Sequence, residues 1–182
     1  MPETIRKELK KAQGALQGAV RSADVRWTPA EQFHLTLRFL GDVDRDRIES
    51  LIETLQNACT GFRPLRLQAE GLGFFPSAQR PRVVWAGIQD GTGQLGLLQQ
   101  GIRAATSTFT LEPPETDFSA HVTLGRIKRL APIEAGALAS IATERSLRDF
   151  GGWAALEIDL MESRLASNGA VHSSLATVPL AS

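Results

Sequence analysis

His34-Leu35-Thr36-Leu37 and His121-Val122-Thr123-Leu124 are two copies of one pattern: a histidine and a threonine on alternate positions, with aliphatic residues between them. Successive side chains of a strand point to opposite faces. Each copy therefore predicts a half-buried strand with His and Thr on one face and aliphatic side chains on the other. The chain holds 3 histidines, and two of them sit in this frame. With so few, the coincidence arises by chance about one or two times in a hundred. The pairing points to a two-histidine centre.

Composition limits what can surround such a centre. A chain of 182 residues, 42% hydrophobic and 22% charged, is long enough for one compact domain with a real core. Its formal net charge is +0, so any affinity for nucleic acid must come from a local basic patch. Cys59 is the only cysteine, which rules out an internal disulfide and fits a reducing compartment. Its place after Leu51, Ile52 and Leu55 reads as the buried side of a helix. No run reaches the length of a membrane span, and the charged, amphipathic N-terminus has no signal-peptide core. A cytoplasmic protein without membrane contact is expected, and a monomer.

Periodicity divides the chain into alternating elements. Residues 2–20 predict a helix, with Ile5, Leu9, Ala12, Leu16 and Val20 at three-to-four spacing. Residues 24–27 predict a short strand, and residues 33–40 a strand that carries the first motif and stops at Gly41-Asp42. A second helix follows over 44–59, then strands over 65–74 and 82–88 around a turn-rich basic stretch at 76–81. A third helix is expected over 92–108, a loop over 111–116, and over 121–127 the strand of the second motif. Residues 132–143 predict a helix, Gly151-Gly152 a break, and 155–164 a long strand. Ser167-Asn168-Gly169 is a hairpin signature leading to a last strand that ends at Pro179. This order is that of an α+β fold, and two similar halves around a cleft would place one motif in each.

The residue types suggest a chemistry. Histidine titrates near neutrality, at about 6.5 in model peptides, so one imidazole can hold a proton while another accepts one. In-line displacement at phosphorus needs that division: an acid at the leaving oxygen, and a base at the entering nucleophile opposite it. Thr36 and Thr123 share the faces of their histidines, where a hydroxyl can bond a phosphate oxygen, although threonine also favours strands for its own sake. Neither tetrapeptide holds a second His, Cys or carboxylate. A catalytic zinc usually takes three protein ligands, so neither metal nor other cofactor is expected.

These motifs resemble those of the two-histidine phosphoesterase superfamily, and most closely the RNA 2′,3′-cyclic phosphodiesterases, also called 2′-5′ RNA ligases. The likeness runs through Phe33-His34-Leu35-Thr36-Leu37-Arg38-Phe39-Leu40-Gly41, Gly71-Leu72-Gly73-Phe74-Phe75-Pro76, Arg80-Pro81-Arg82-Val83-Val84-Trp85-Ala86-Gly87, His121-Val122-Thr123-Leu124-Gly125-Arg126 and Glu162-Ser163-Arg164-Leu165. It implies a bilobal fold over residues 1–182, with two antiparallel sheets, outer helices, a central cleft and one His-x-Thr-x motif on a strand of each pseudo-symmetric lobe. It also implies metal-independent opening of a 2′,3′-cyclic phosphate at an RNA end to a 2′-phosphate. In that reaction His34 would be the general acid, His121 the general base, and Thr36 and Thr123 phosphate ligands. The family's extended motifs are met by Phe39, implying base contact, and Arg126, implying phosphate contact. Family members usually begin with a short apolar strand before the Pro-Glu of the first helix. This chain begins at Met1-Pro2-Glu3, so one sheet is expected to lack a member and expose a neighbouring edge.

Strand parity places Phe39 and Arg126 opposite their histidines, so a bulge or a strand end must bring them round; Gly125 and Gly41 are the candidates. Arg38 lies on the face of His34 and Thr36, in position for RNA contact or for solvent. Arg80, Arg82, Lys128 and Arg129 outline a basic rim suited to an RNA backbone, and His172 reads as an edge residue. The expected partner is RNA with a cyclic phosphate end, or a cyclic nucleotide. Three alternatives stay open: the same centre sealing 2′-5′ linkages without ATP, a phosphodiesterase for small cyclic nucleotides, or a non-catalytic RNA-end binding module.

Overall fold

A computed structural model describes residues 1–20, 22–113, 117–166 and 169–181. The chain divides into two compact units, each assembled from three stretches: residues 1–36, 67–91 and 119–153 in the first, 37–66, 92–118 and 154–182 in the second.

The first unit is built on a five-stranded sheet. Its strands are β1 (Asp24–Trp27), β2 (Leu65–Phe75), β3 (Val83–Gln89), β4 (His121–Arg129) and β5 (Asp149–Ala155), in the order β1-β4-β3-β2-β5. Helix α1 (Glu3–Ala19) buries Ile5, Leu9, Ala12 and Leu16, the stripe that its periodicity predicts. Against this stripe the sheet presents Val84, Ala86, Val122 and Leu124, all fully buried. The sheet's other face stays half-open, as the alternating burial along β3 and β4 records. A sheet with one covered and one open face reads as clean alternation, and that is why β3 and β4 were legible in the sequence.

Helix α4 (Pro132–Glu144) packs on α1 and is tied to the approach to β1 through a buried carboxylate. Glu134 Oε1 accepts from the Ser22 hydroxyl at 2.7 Å and from its amide at 2.9 Å, while Oε2 accepts from the Ala131 amide at 3.2 Å. The last contact is half of a capping box, since alanine has no side chain with which to reciprocate. The Ser22 hydroxyl, followed by these amides, holds the Glu134 carboxyl below the ordinary glutamate value. A lowered folded pKa contributes stability above the unfolded value of about 4.3, which is lost as pH falls through the folded one. Glu134→Gln is therefore expected to flatten the acid limb of the Tm–pH profile below about pH 4.3 and to lower Tm at neutrality. An unchanged acid limb would count against this role.

The second unit comprises α2 (Ile48–Cys59), α3 (Gln94–Ala105), β6 (Glu157–Ala166) and β7 (Gly169–Pro179). Helix α2 packs on α3 and β7, and the Cys59 thiol is buried with its pKa pushed up by burial, as befits an inert core residue. Strands β6 and β7 form an antiparallel two-stranded sheet whose register closes at Ala166 opposite Gly169. Ser167 and Asn168 of the expected hairpin turn, and Pro114 to Thr116 of the expected loop, lie outside the described residues.

Two expectations are corrected. Residues 33–40 are not a strand: after a single turn of 3₁₀ helix (Ala30–Gln32), only Leu35 forms a bridge, to Val122. The alternation is present, but a ladder needs a partner at every second residue. The Leu37 carbonyl instead accepts from the Gln99 side chain at 3.4 Å. Gly151-Gly152 does not break the chain, because both residues lie inside β5. A Cβ on Gly151, at φ +106, would strike Ile5 of α1, and one on Gly152 would strike Gln68 of β2. These glycines serve close packing, a role that composition alone cannot distinguish from a turn.

Candidate active site

The His and Thr of both motifs belong to the first unit, and the motifs meet through one bridge. Strand β4 is flanked along its length by β3, and over its C-terminal half by β1, where Trp27 opposes Gly125. Beyond the end of β1 the chain loops out through the 3₁₀ turn and returns at Leu35 on the same flank of β4, antiparallel and opposite Val122. Antiparallel register sets His34 beside Thr123 and Thr36 beside His121. Leu35 and Val122 share one face, and the four polar residues share the other. The strand reading of the first motif fails, but the alternation it predicts survives at this junction.

The two imidazoles are anchored identically. His34 Nδ1 lies 2.7 Å from the Gln32 carbonyl oxygen, and His121 Nδ1 lies 2.6 Å from that of Ser119, in each case two residues back. A carbonyl oxygen can only accept, so Nδ1 is the donor in both rings. The proton is thereby assigned to Nδ1, leaving Nε2 on each ring as the atom that takes or gives one. His34 is exposed, His121 half-buried, and Thr36 and Thr123 half-buried.

Arg126 reaches this face through a bulge. Along β3, Gly87, Trp85 and Val83 occupy alternate positions, and they oppose His121, Thr123 and Arg126 in turn; the register shifts between Val84 and Trp85, which makes Leu124 the extra residue. The odd offset of Arg126 is thus cancelled, as the glycine at 125 led us to expect. The bulge is held by the Leu124 carbonyl, which accepts from the Thr28 amide at 2.9 Å and from Gln13 Nε2 at 2.8 Å. Gln13, buried on α1, also donates to the Thr28 carbonyl at 2.7 Å. Nothing in the helical pattern of α1 singles out this residue.

An aromatic pair that motif reading passed over abuts His121. The Phe75 ring stands edge-on to the imidazole, with centroids 5.0 Å apart, and Trp85 lies 5.1 Å from Phe75 and 6.3 Å from His121. Gly73, opposite Trp85 in the β2–β3 register, provides the space, since a Cβ there would overlap the indole. The indole N–H is buried without a hydrogen-bond partner among the described residues.

Arg38 and Phe39 fall in the second unit, where with Gly41, Glu112 and Pro113 they line a pocket of about 430 Å³. Arg38 Nη2 donates to the Glu112 carbonyl at 3.4 Å, and Phe39 is 60% exposed, so its ring is not a core residue. Of the basic rim, Arg82 Nη1 donates to the Lys128 carbonyl at 3.2 Å, and Arg129 opposes Asp24. His172, on β7, is bonded to Ser163 Oγ at 2.8 Å. Among the described residues no group of His, Cys, Asp and Glu is gathered in a form that could hold a metal ion, and no helix is long and apolar enough to cross a membrane.

An α+β protein with two matched histidines on the open face of a sheet is thereby defined. The sequence model of the family described as LigT like Phosphoesterase matches residues 1–85. The RNA 2′,3′-cyclic phosphodiesterase of Aeropyrum pernix is 34% identical over 152 residues, covering 84% of each chain. That of Archaeoglobus fulgidus is 30% identical over 173 residues, 95% of this chain and 92% of the relative. A crystal structure of a Thermus thermophilus protein matches with a TM-score of 0.80 at 26% identity, covering 99% of this chain and 93% of that one. Escherichia coli LigT complexed with 3′-AMP matches with a TM-score of 0.75 at 21% identity, covering 100% of this chain and 94% of that one, a likeness of fold. The chain belongs to the LigT-like phosphoesterase family.

Proposed function

We propose that this protein opens 2′,3′-cyclic phosphates at RNA 3′ ends to 2′-phosphates without a metal ion, acting in the cytoplasm as a monomer. The observation that carries the reading is the shared anchoring of the two imidazoles, which leaves Nε2 of His34 and of His121 as the two working nitrogens. His121 takes a proton from water as the oxygen bonds to phosphorus. The P–O3′ bond breaks, and His34 supplies the proton that the departing O3′ needs. Thr36 and Thr123 donate hydroxyl hydrogen bonds to the non-bridging oxygens, and Arg126 adds positive charge. The printed names of the Aeropyrum and Archaeoglobus relatives favour the same substrate.

The test is to incubate the protein, in excess EDTA, with a short RNA ending in a 2′,3′-cyclic phosphate and to identify the product end. A 2′-phosphate is expected. A 3′-phosphate would overturn the assignment of O3′ as leaving group, and absence of turnover would overturn the hydrolase reading itself.

A further inference from the structure

The open face of the first unit's sheet continues past Arg126 onto a pair of like charges. Arg26 of β1 directly opposes Arg126 of β4, so the two side chains leave the sheet on the same face as His121 and Thr123. Both residues are exposed, and because the register shift between Asp24 and Val25 makes Lys128 an extra residue of β4, the next residue on that face is Arg129. Neither guanidinium has a carboxylate or hydrogen-bond partner among the described residues. The acidic residue of this strand, Asp24, shares the face of Arg26 two residues away and opposes Arg129.

Like charges directly opposed on neighbouring strands repel and destabilise the sheet. An anion between them turns that repulsion into a pair of charge-assisted hydrogen bonds, the planar guanidinium being well shaped for a phosphate. Position along the strand suggests which phosphate. Thr123 and Arg126 oppose β3 residues two apart, a separation of about 7 Å, comparable to the spacing of successive phosphates on a nucleic-acid strand. In an RNA whose 3′ end carries the cyclic phosphate, the rest of the chain extends to the 5′ side.

We propose that Arg26, across the ladder from the Arg126 that serves the cyclic phosphate, binds the phosphate that joins the last two nucleotides of the RNA, so that the protein favours oligonucleotides over mononucleotides. This rests on the hydrolase reading above. The site also supplies the local basic patch that a chain of net charge +0 requires for binding a polyanion.

The test compares wild type and Arg26→Gln on two substrates, adenosine 2′,3′-cyclic phosphate and a short RNA with the same cyclic end, over a range of salt. The KM ratio of oligonucleotide to mononucleotide is expected to rise about tenfold in the variant. The log–log salt dependence of oligonucleotide KM should fall by about 0.7, the share of one phosphate contact on a single strand. Tm should hold or rise, because the cross-strand repulsion is relieved. An unchanged ratio and salt slope would overturn the proposal, as would a KM loss of equal size on both substrates. If the wild type turns over neither substrate, the hydrolase reading fails by itself. The second phosphate site is then read from binding: RNA bearing a terminal 2′-phosphate against adenosine 2′-phosphate, with the ratio sensitive to Arg26→Gln if the site exists and insensitive if it does not.

Discussion

His34→Ala and His121→Ala are each expected to slow single-turnover cleavage of an RNA 2′,3′-cyclic phosphate end by about 10²–10⁴-fold. His34 is exposed and His121 half-buried, so neither change opens a core cavity and both variants should keep a wild-type unfolding transition. In the proposed mechanism the two groups act in one displacement, one proton leaving water as another reaches O3′. Removing both should therefore cost much less than the product of the single losses. The matched anchoring of Nδ1 on the Gln32 and Ser119 carbonyls is why the proposed mechanism places both roles at Nε2. A variant that kept its rate to within about threefold would remove that histidine from the proton transfers.

Gly73→Ala is expected to reach the same centre from two strands away. Gly73 opposes Trp85, and a methyl at that position would overlap the benzo ring of the indole. The indole cannot yield alone, since Phe75 lies 5.1 Å from it and the same Phe75 ring meets the His121 imidazole edge-on at 5.0 Å. Overpacking of this kind costs about 1–3 kcal/mol of stability, and a misplacement of the imidazole of about 1 Å costs on the order of 10²-fold in rate. Both losses should appear together, as a lowered Tm and a slowed single turnover. Adding Trp85→Phe to the alanine variant removes the overlapping ring and should restore most of the stability. If Gly73→Ala retained wild-type Tm and rate, the indole would not occupy the space over β2.

Most elements were legible because their signals are local. The stripe of Ile5, Leu9, Ala12 and Leu16 reports a helix lying on a core, and the alternation through Val84, Ala86, Val122 and Leu124 reports strands covered on one face. Both histidines and both threonines were singled out by their frame, Arg126 by the family resemblance, and the bulge that turns Arg126 by the glycine before it. Phe75 and Trp85 were visible as letters in a familial stretch, but no spacing rule ties Phe75 to a histidine 46 positions away in sequence. Gln13 was likewise an ordinary helical glutamine until its amide met the Leu124 carbonyl. Arg26 gained its meaning only from the residue across the ladder.

By itself, then, the sequence determined the α+β order, the paired His–Thr frames and the shared side of the backbone on which each pair lies, because alternation and helical period are properties of the local backbone. Tertiary structure decided where ladders form and where they shift. It left residues 33–40 with a single bridge at Leu35, inserted Leu124 as the bulge that turns Arg126 to the face of His121, and brought the His and Thr of both motifs into one unit. The physical reason is that a strand's hydrogen bonds, and the carbonyls that orient its side chains, belong to the partner segments as much as to the strand itself.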